Sequence, residues 1–172
     1  MKEEKPITKI KLRNLLPSDN LFLIDILNSG SGKLIGEPGI FTQDAFLELR
    51  KDFSAEQVIV AEKNLKSYTI GYAAIKNYNI PGRRAELFMF CLSGKGDQSI
   101  PDKVTLSAIL DWSFGVLGLN KVSIDILDGN KVLSIFEESG FVSEGIRKGQ
   151  YRIGKNIVDS TFMSCVLGNR QK

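Results

Sequence analysis

Histidine is absent from this chain of 172 residues, and cysteine occurs only twice, at Cys91 and Cys165. The absence of histidine excludes catalysis by Ser-His-Asp or Cys-His groups. Two thiols without histidine leave little from which to build a zinc site, so no metal is predicted. Both cysteines lie in apolar, strand-like runs, which is typical of free buried thiols. A catalytic base in this protein must therefore be a carboxylate, a tyrosine, a terminus or a chain of waters.

Long apolar runs and a strong charge of one sign are also lacking. No run approaches the roughly 18 to 20 residues that a membrane helix needs, and the opening MKEEKP lacks the apolar stretch of a signal peptide. The net charge is only +3, and Lys and Arg form no run on one face, so no nucleic-acid partner and no membrane contact are predicted. With 42% hydrophobic and 25% charged residues, the composition predicts one globular domain over residues 1–172, located in the cytoplasm.

The last third of the chain carries the clearest periodicity. Lys121 to Leu127 alternates apolar and polar residues, which predicts a strand. The next segment has apolar residues at helical spacing and ends at Gly140, a residue type that readily takes the positive φ at which many helices end. Two further alternating runs, Ser143 to Ile153 and Ile157 to Val166, flank Gly154-Lys155-Asn156 and predict a hairpin.

The upstream part of the chain predicts four more strands and three helices. Pro17-Ser18-Asp19 is expected to begin a helix that uses Leu21 and has Ser18 as its N-cap, and Thr42 is expected to cap a second helix that runs to about Phe53. The remaining upstream predictions are strands at 9–13, 57–62, 67–77 and 84–92 and a long helix at 101–117. Strands and helices in this order indicate one continuous α/β domain.

Several of these segments together resemble a known family. The order GLNKV, a strand, DGNKVLSIFEESGF and then EGIRKGQYRIGKNIVDSTFM is similar to the closing segment of the GNAT-superfamily N-acetyltransferases. The similarity is greatest to the branch that acetylates ribosomal-protein N-termini, polyamines and nucleotide-linked amino sugars. Ile70-Gly71-Tyr72 and Arg84-Ala85-Glu86-Leu87 match the same branch, and the resemblance spans about residues 9–167. It implies an α/β fold with a mixed, mostly antiparallel, splayed sheet of about seven strands and helices on both faces.

The resemblance also implies an activity, the transfer of an acetyl group from acetyl-CoA to a primary amine by direct attack. The acceptor would be a small molecule or a peptide, and the protein a monomer or a homodimer. In the family, the pyrophosphate of the donor rests on amide groups of a glycine loop that opens the long helix. The present loop departs from that pattern, because Ile100 and Asp102 stand at the glycine positions.

Two interpretations of this departure remain open. In the first, coenzyme A binding is weak or lost, because the charge of Asp102 opposes that of a pyrophosphate. In the second, the loop is reshaped and still holds the donor, through Gly94, Lys95, Gly96, Gln98 and Ser99. Two other functions stay open accordingly. One is a degenerate domain of the family that binds a ligand or partner without acetylating it, and the other is an acyltransferase that uses a carrier-protein thioester.

The strand at 84–92 matches the family strand that lies beside the donor. In the family it offers a main-chain amide to the thioester carbonyl, and the resemblance places that amide among Phe90, Cys91 and Leu92. Glu86 falls where related enzymes often have a carboxylate facing the acceptor, and it is the candidate base, acting through a water. The alternative is that Glu86 is a solvated or ion-paired strand residue.

Two further donor contacts follow from the resemblance. Phe136 stands where many relatives have a tyrosine that protonates the departing thiolate. A thiol of pKa near 8.5 leaves tolerably well without an acid, so this change slows the reaction rather than preventing it. Asn130 is the candidate to hold the pantetheine arm, one place after the position of the corresponding family residue.

Overall fold

The computed structural model describes residues 9–29, 41–63, 66–91, 103–128 and 132–169. Within these ranges the elements follow the predicted order. The helices are α1 (Asn20–Asn28), α2 (Gln43–Arg50), α3 (Lys103–Asp111) and α4 (Leu133–Glu138). The strands are β1 (Lys9–Arg13), β2 (Phe53–Lys63), β3 (Lys66–Asn79), β4 (Arg84–Cys91), β5 (Lys121–Leu127), β6 (Val142–Ile153) and β7 (Asn156–Val166).

The strands form one sheet of seven in the order β1-β2-β3-β4-β5-β7-β6. Every neighbouring pair is antiparallel except β4 and β5, which are parallel. α3 lies between these two strands in the chain. A parallel pair requires such a crossover, because the end of the first strand and the start of the second lie at opposite edges of the sheet. The prediction of a mixed, mostly antiparallel sheet is confirmed.

Helices cover both faces of the sheet, and alternation along β4 shows how. Leu87 and Met89 belong to an apolar cluster that includes Leu106 of α3 and Phe136 of α4. The residues between them, such as Phe88, belong to a second cluster with side chains of α1 and α2. A strand with apolar residues on both faces is a central strand, since both of its faces are covered.

The start of the first helix differs from the sequence prediction. A short 3-10 turn, Pro17–Asp19, precedes α1. The side chain that stabilises this turn is Asp19 rather than Ser18, because the Asp19 carboxylate accepts a hydrogen bond from the amide of Leu16 at 2.8 Å. Arg13 on β1 also donates to both carboxylate oxygens of Asp19, at 2.7 Å each. Asp19 is preferred because an ion pair with Arg13 adds to the local hydrogen bond, and Ser18 has no charge to offer.

Other features of the helices also differ from the sequence prediction, each for a local reason. Leu21 is 66% exposed and lies outside the core. α2 ends at Arg50 instead of near Phe53, because β2 begins at Phe53, whereas the Thr42 cap is confirmed by a hydrogen bond from the amide of Ala45 at 3.2 Å. The described part of the long helix is α-helical only to Asp111 and continues as a π-helical turn, Trp112–Val116.

The remaining composition-based expectations concern the thiols and membranes. Cys91 and Cys165 are buried thiols that form no disulfide, as predicted. In the described ranges no helix has the length and apolar character that crossing a bilayer requires. Gly140 has φ 94°, so the helix α4 ends as predicted with a glycine in the left-handed region.

Candidate active site at the separation of β4 and β5

β4 and β5 lie side by side only at their beginnings. Their register pairs Arg84 with Lys121, Ala85 with Val122 and Glu86 with Ser123. β4 continues to residue 91 and β5 to residue 127, and these described segments form no further pairs with each other. The two strands therefore enclose a wedge. Main-chain polar groups along such a gap need other partners, and an extended ligand with amide groups can supply them.

The narrow end of the wedge is held closed by main-chain contacts. The carbonyl of Arg83 accepts hydrogen bonds from the amides of Asn120, at 2.6 Å, and Lys121, at 3.3 Å. The Ser123 hydroxyl donates to the carbonyl of Ala85 at 3.3 Å. These bonds fix where the strands begin to separate, so the wedge has a defined apex at Glu86 and Ser123.

The far end of β4 depends on a glycine of the neighbouring strand. Gly71 of β3 pairs with Cys91, and a Cβ atom added at Gly71 would meet the carbonyl oxygen of Phe90 and come within 2.7 Å of the Cα of Cys91. Only glycine permits this approach of two backbones. The match of Ile70-Gly71-Tyr72 to the family thus has a physical reason, since this glycine positions the predicted donor-binding strand.

Glu86 is half-buried on the sheet face that α1 and α2 cover further along β4. Its neighbours across the strands are Lys76 on β3 and Ser123 on β5. Within the part of the chain that the structure describes, no ion pair or side-chain hydrogen bond involves Glu86. The described residues therefore form no ion pair between Glu86 and Arg83 or Arg84. The solvated alternative and the role of Glu86 as a base both stay predictions.

That face of the sheet has an apolar half and a polar half. The apolar half consists of residues on β2, β3 and β4 packed against α1 and α2, and none of the described residues in this cluster comes from β5, β6 or β7. On those three strands the same face carries mainly polar groups, namely Ser123, Asp125, Glu144, Arg147, Ser160 and Ser164, together with the apolar Leu127, Val142 and Phe162. Glu86 lies at the boundary between the two halves.

Asp125 and Arg147 form the centre of the polar half. The Arg147 guanidinium donates to one oxygen of Asp125, and the Ser160 hydroxyl donates to the other at 3.0 Å. The guanidinium carbon of Arg147 lies 4.0 Å above the centroid of the Phe162 ring. Sequence reasoning assigned no role to these residues, although Arg147 ends the Glu144-Gly145-Ile146-Arg147 run that carried the family resemblance.

A second ion pair lies beside the first. Lys121 donates to Glu144 at 2.5 Å, and the Ser164 hydroxyl donates to the same carboxylate at 2.7 Å. These two hydrogen bonds lower the pKa of Glu144 below its ordinary value. Glu144 is therefore a carboxylate whose charge is compensated at neutral pH.

Under the apolar half, Glu56 of β2 ties the helices to the sheet. Arg50 of α2 donates to both of its oxygens, at 2.9 and 2.5 Å, and the buried Tyr72 hydroxyl donates at 2.5 Å. Burial by itself raises the pKa of Glu56, but the hydrogen bonds from Arg50 and Tyr72 and the charge of Arg50 outweigh it, so this pKa lies below its ordinary value of 4.5. Burial and the Glu56 carboxylate raise the pKa of Tyr72 far above its usual range, so this hydroxyl stays a donor.

This cluster predicts a dependence of stability on pH. A carboxyl whose pKa is depressed in the folded state contributes stability above its unfolded pKa, and this contribution is lost as the pH falls through the folded value. Glu56→Gln is expected to lower the free energy of unfolding by about 2 kcal/mol at pH 7 and to flatten its decline below pH 4.5. Urea denaturation from pH 7 to pH 3 measures both effects, with the exposed Glu48→Gln as control. Equal slopes for wild type and Glu56→Gln would contradict this assignment.

The remaining predicted site residues divide into two groups. Phe136 is buried in the core, with its ring 5.0 Å from that of Phe141 in an edge-on arrangement, so a contact with the donor stays a prediction. The others lie outside the described residues, as does Asp102; they are Leu92, Gly94, Lys95, Gly96, Gln98, Ser99 and Asn130. Phe90 and Cys91 are described, at the wide end of the wedge.

The strand order, the single parallel pair and its early separation define the fold of the GNAT-type N-acetyltransferases, and comparison with solved structures confirms it. The spermidine N-acetyltransferase from Vibrio cholerae, in complex with CoA and spermine, is 25% identical to this chain with a TM-score of 0.78, over 94% of this chain and 98% of that one. The predictions of an α/β GNAT-type enzyme and of acetyl transfer to an amine are thereby confirmed.

Two more structures show the breadth of the likeness. A dodecameric structure of the Vibrio cholerae spermidine N-acetyltransferase in an intermediate state is 25% identical with a TM-score of 0.70, over 92% of this chain and 94% of that one. A protein assigned as a phosphinothricin N-acetyltransferase is 19% identical with a TM-score of 0.74, over 92% and 99%, which shows a shared fold alone. No protein-family model and no curated protein sequence matches the chain.

Proposed function

We propose that this protein acetylates the primary amine of a small molecule or peptide with acetyl-CoA, and that donor and acceptor meet in the wedge between β4 and β5. The observation that carries the proposal is the separation of these parallel strands directly after Glu86 and Ser123. It leaves an open strand edge on one side and a carboxylate without a described partner at the apex. A cytoplasmic location and a monomer or homodimer, as expected from the sequence, are part of the same proposal.

The wedge suits an extended donor arm that lies along β4. Pantetheine contains two amide groups, and the main chain of an open strand edge pairs with such groups as it would with another strand. Phe90 is four residues from Glu86 on β4, or about 13 Å in an extended chain. A thioester held at Phe90 to Leu92 would thus lie too far from Glu86 for one intervening water. We therefore assign Phe90, Cys91 and Leu92 to the pantetheine arm and place the thioester nearer Phe88.

The chemistry requires one proton acceptor. The amine nitrogen attacks the thioester carbonyl carbon, a C–N bond forms, the C–S bond breaks, and the thiolate leaves with the electron pair. Glu86 accepts the proton of the amine through a water, which keeps the nitrogen nucleophilic at neutral pH. The thiolate takes its proton from solvent, because its pKa near 8.5 makes it a tolerable leaving group without an acid.

The donor assignment predicts a specific pattern of ligand stabilisation. Acetyl-CoA at a hundredfold above its Kd is expected to stabilise the fold by about 2.7 kcal/mol, and coenzyme A by a similar amount. Pantetheine at the same concentration as acetyl-CoA should stabilise it less, because it lacks the pyrophosphate that residues 94–99 are proposed to hold. Thermal-shift series with the three compounds measure this pattern.

The same series separates the alternative functions. If coenzyme A stabilises the protein no more than pantetheine does, a carrier-protein thioester is favoured as the donor, since a carrier supplies the pantetheine arm without the nucleotide. No stabilisation by any of the three compounds would favour a degenerate domain and would refute the proposal. A crystal structure with acetyl-CoA outside the wedge would refute the assignment of β4 and β5.

A further inference from the structure

The charges on the polar half of the sheet face indicate what kind of amine binds there. Of the described carboxylates on this face, Asp125 is paired with Arg147, Glu144 with Lys121, and Glu56 with Arg50. Glu86 alone among them forms no ion pair within the described ranges, although Lys76 lies opposite it on β3. A site for an extended polycation needs several uncompensated carboxylates, because each ammonium group must be neutralised when it leaves water.

Arg147 is the group on this face that is prepared for an anion. Its guanidinium carries five N–H donors in a planar fork, of which NH1 donates to Asp125. Phe162 supports one face of the plane at 4.0 Å from the ring centroid, and the side chain remains 39% exposed. The contact with Asp125 and the ring fix the orientation of the guanidinium, and its other donors form no hydrogen bond within the described residues. Such a fork matches a carboxylate or a phosphate.

The separation between Glu86 and Asp125, the carboxylate that Arg147 contacts, sets the length of the ligand. Asp125 is two residues beyond Ser123, and Ser123 is paired with Glu86 on the adjacent strand. With about 3.3 Å per residue and 4.8 Å between strands, the Cα atoms of Asp125 and Glu86 are roughly 8 Å apart, and slightly more because the strands separate. The guanidinium on Asp125 is thus within the length of a short chain of bonds from the apex of the wedge.

We propose that the acceptor of this enzyme carries an oxyanion, a carboxylate or a phosphate, a few bonds from its reacting amine, and that Arg147 binds this group while Glu86 serves the amine. The inference rests on the proposed function, because it uses the wedge as the place of transfer. It sets this protein apart from the spermidine N-acetyltransferase that it resembles, whose named substrate is a polycation. Asp125 and Phe162 are positioning residues, since they act by orienting Arg147.

A ladder of matched acceptors tests the proposal on the wild-type protein. ω-Amino acids of three to six carbons are compared with alkylamines of equal length, phosphoethanolamine with ethanolamine, and spermidine is added as the polycation. Thiol release from acetyl-CoA gives kcat and KM for each acceptor. We expect the best anionic acceptors to exceed their neutral counterparts and spermidine by about tenfold or more in kcat/KM. The carboxylate and phosphate arms show which oxyanion is preferred, and the length series shows the spacing.

Variants then assign the preference to Arg147. Arg147→Gln is expected to remove the preference, about tenfold, chiefly by raising KM for anionic acceptors, while neutral alkylamines change less than about twofold. Arg147→Lys keeps the charge and loses the fork, so it should recover only part of the preference. Lys148→Gln removes a charge from the next residue, whose ammonium contacts Asp159, and should leave both classes unchanged. If the ion pair between Arg147 and Asp125 were merely structural, Arg147→Gln would instead lower kcat/KM for all acceptors together.

The outcomes keep the two proposals distinct. If spermidine or plain alkylamines are used as well as the anionic acceptors, the acceptor assignment is wrong and the acetyltransferase proposal stands. If acetyl-CoA neither stabilises the protein nor releases thiol with any amine, both proposals fall. If Arg147→Gln unfolds below the assay temperature, the acceptor series with the wild-type protein and with Arg147→Lys still tests the proposal, because neither measurement requires that variant.

Discussion

Replacing Glu86 by glutamine is expected to lower kcat for amine acetylation by about 10² or more at neutral pH. The substitution removes a proton acceptor and preserves the shape of the side chain. Glu86 lies at the apex of the wedge beside Ser123, and no described ion pair holds its charge. Calorimetric titration should find the affinity for acetyl-CoA nearly unchanged, because the proposed pantetheine contacts involve the main chain further along β4. Loss of kcat without loss of donor binding is the signature of a group that acts in the transition state.

The comparison needs a control on the same sheet and a pH profile. Glu62→Gln removes a carboxylate from β2, where it pairs with Lys11 two strands away from β4, and should leave kcat unchanged. In the wild type, the rate should follow the free-amine fraction of the acceptor less steeply than in Glu86→Gln. If Glu86→Gln keeps wild-type turnover on a confirmed acceptor, with a rate that follows the free-amine fraction, solvent deprotonates the amine and Glu86 has no catalytic role.

The substitution Gly71→Ala is expected to destabilise the protein by about 3 kcal/mol, because its Cβ collides with backbone atoms of Phe90 and Cys91. Backbone cannot move aside as a side-chain end can, so the end of β4 must shift away from β3. That end carries the proposed contacts to pantetheine, and the affinity for acetyl-CoA should therefore fall together with stability. Differential scanning calorimetry and titration with acetyl-CoA measure the two effects on the same preparation.

Gly115→Ala is the matched control for the added methyl group. A Cβ at Gly115 meets nothing within 4 Å, and the residue lies in the π-helical turn after α3. Stability and acetyl-CoA affinity should both remain at the wild-type level. A Gly71→Ala protein with unchanged stability would show that β3 and β4 are not in the close register described here, and the placement of the donor strand would have to be revised.

Much of the fold was predictable because its signals are local. The alternation in Lys121 to Leu127 and the two runs around Gly154 predicted β5, β6 and β7 nearly to the residue, since alternation records which side chains face a core. The cap at Thr42 was predictable for the same reason, because it depends on residues three positions apart. The start of α1 was not, because Asp19 is selected by Arg13, a partner that local rules for capping do not include.

The candidate site was predictable only in part. The assignments of Glu86 and of the strand beside the donor came from the family resemblance, and the role of Glu86 stays a prediction. Arg147, Asp125 and Phe162 were missed, because they lie on three strands and nothing in their sequence spacing indicates contact. The separation of about 13 Å between Glu86 and Phe90 also became clear only when both were placed on one extended strand.

The sequence by itself determined the class of this protein: its composition excludes histidine-based catalysis, and its periodicity and motifs specify the order of elements of a GNAT-type domain. Such properties are decided by neighbours in the chain, within one helix turn or one strand. Only the tertiary structure decided where the parallel strands separate, which of the described carboxylates form ion pairs, and that Arg147 is oriented by a ring and a carboxylate from other strands. These depend on contacts between residues far apart in sequence, and the selectivity of the site for its amine is expected to depend on them too.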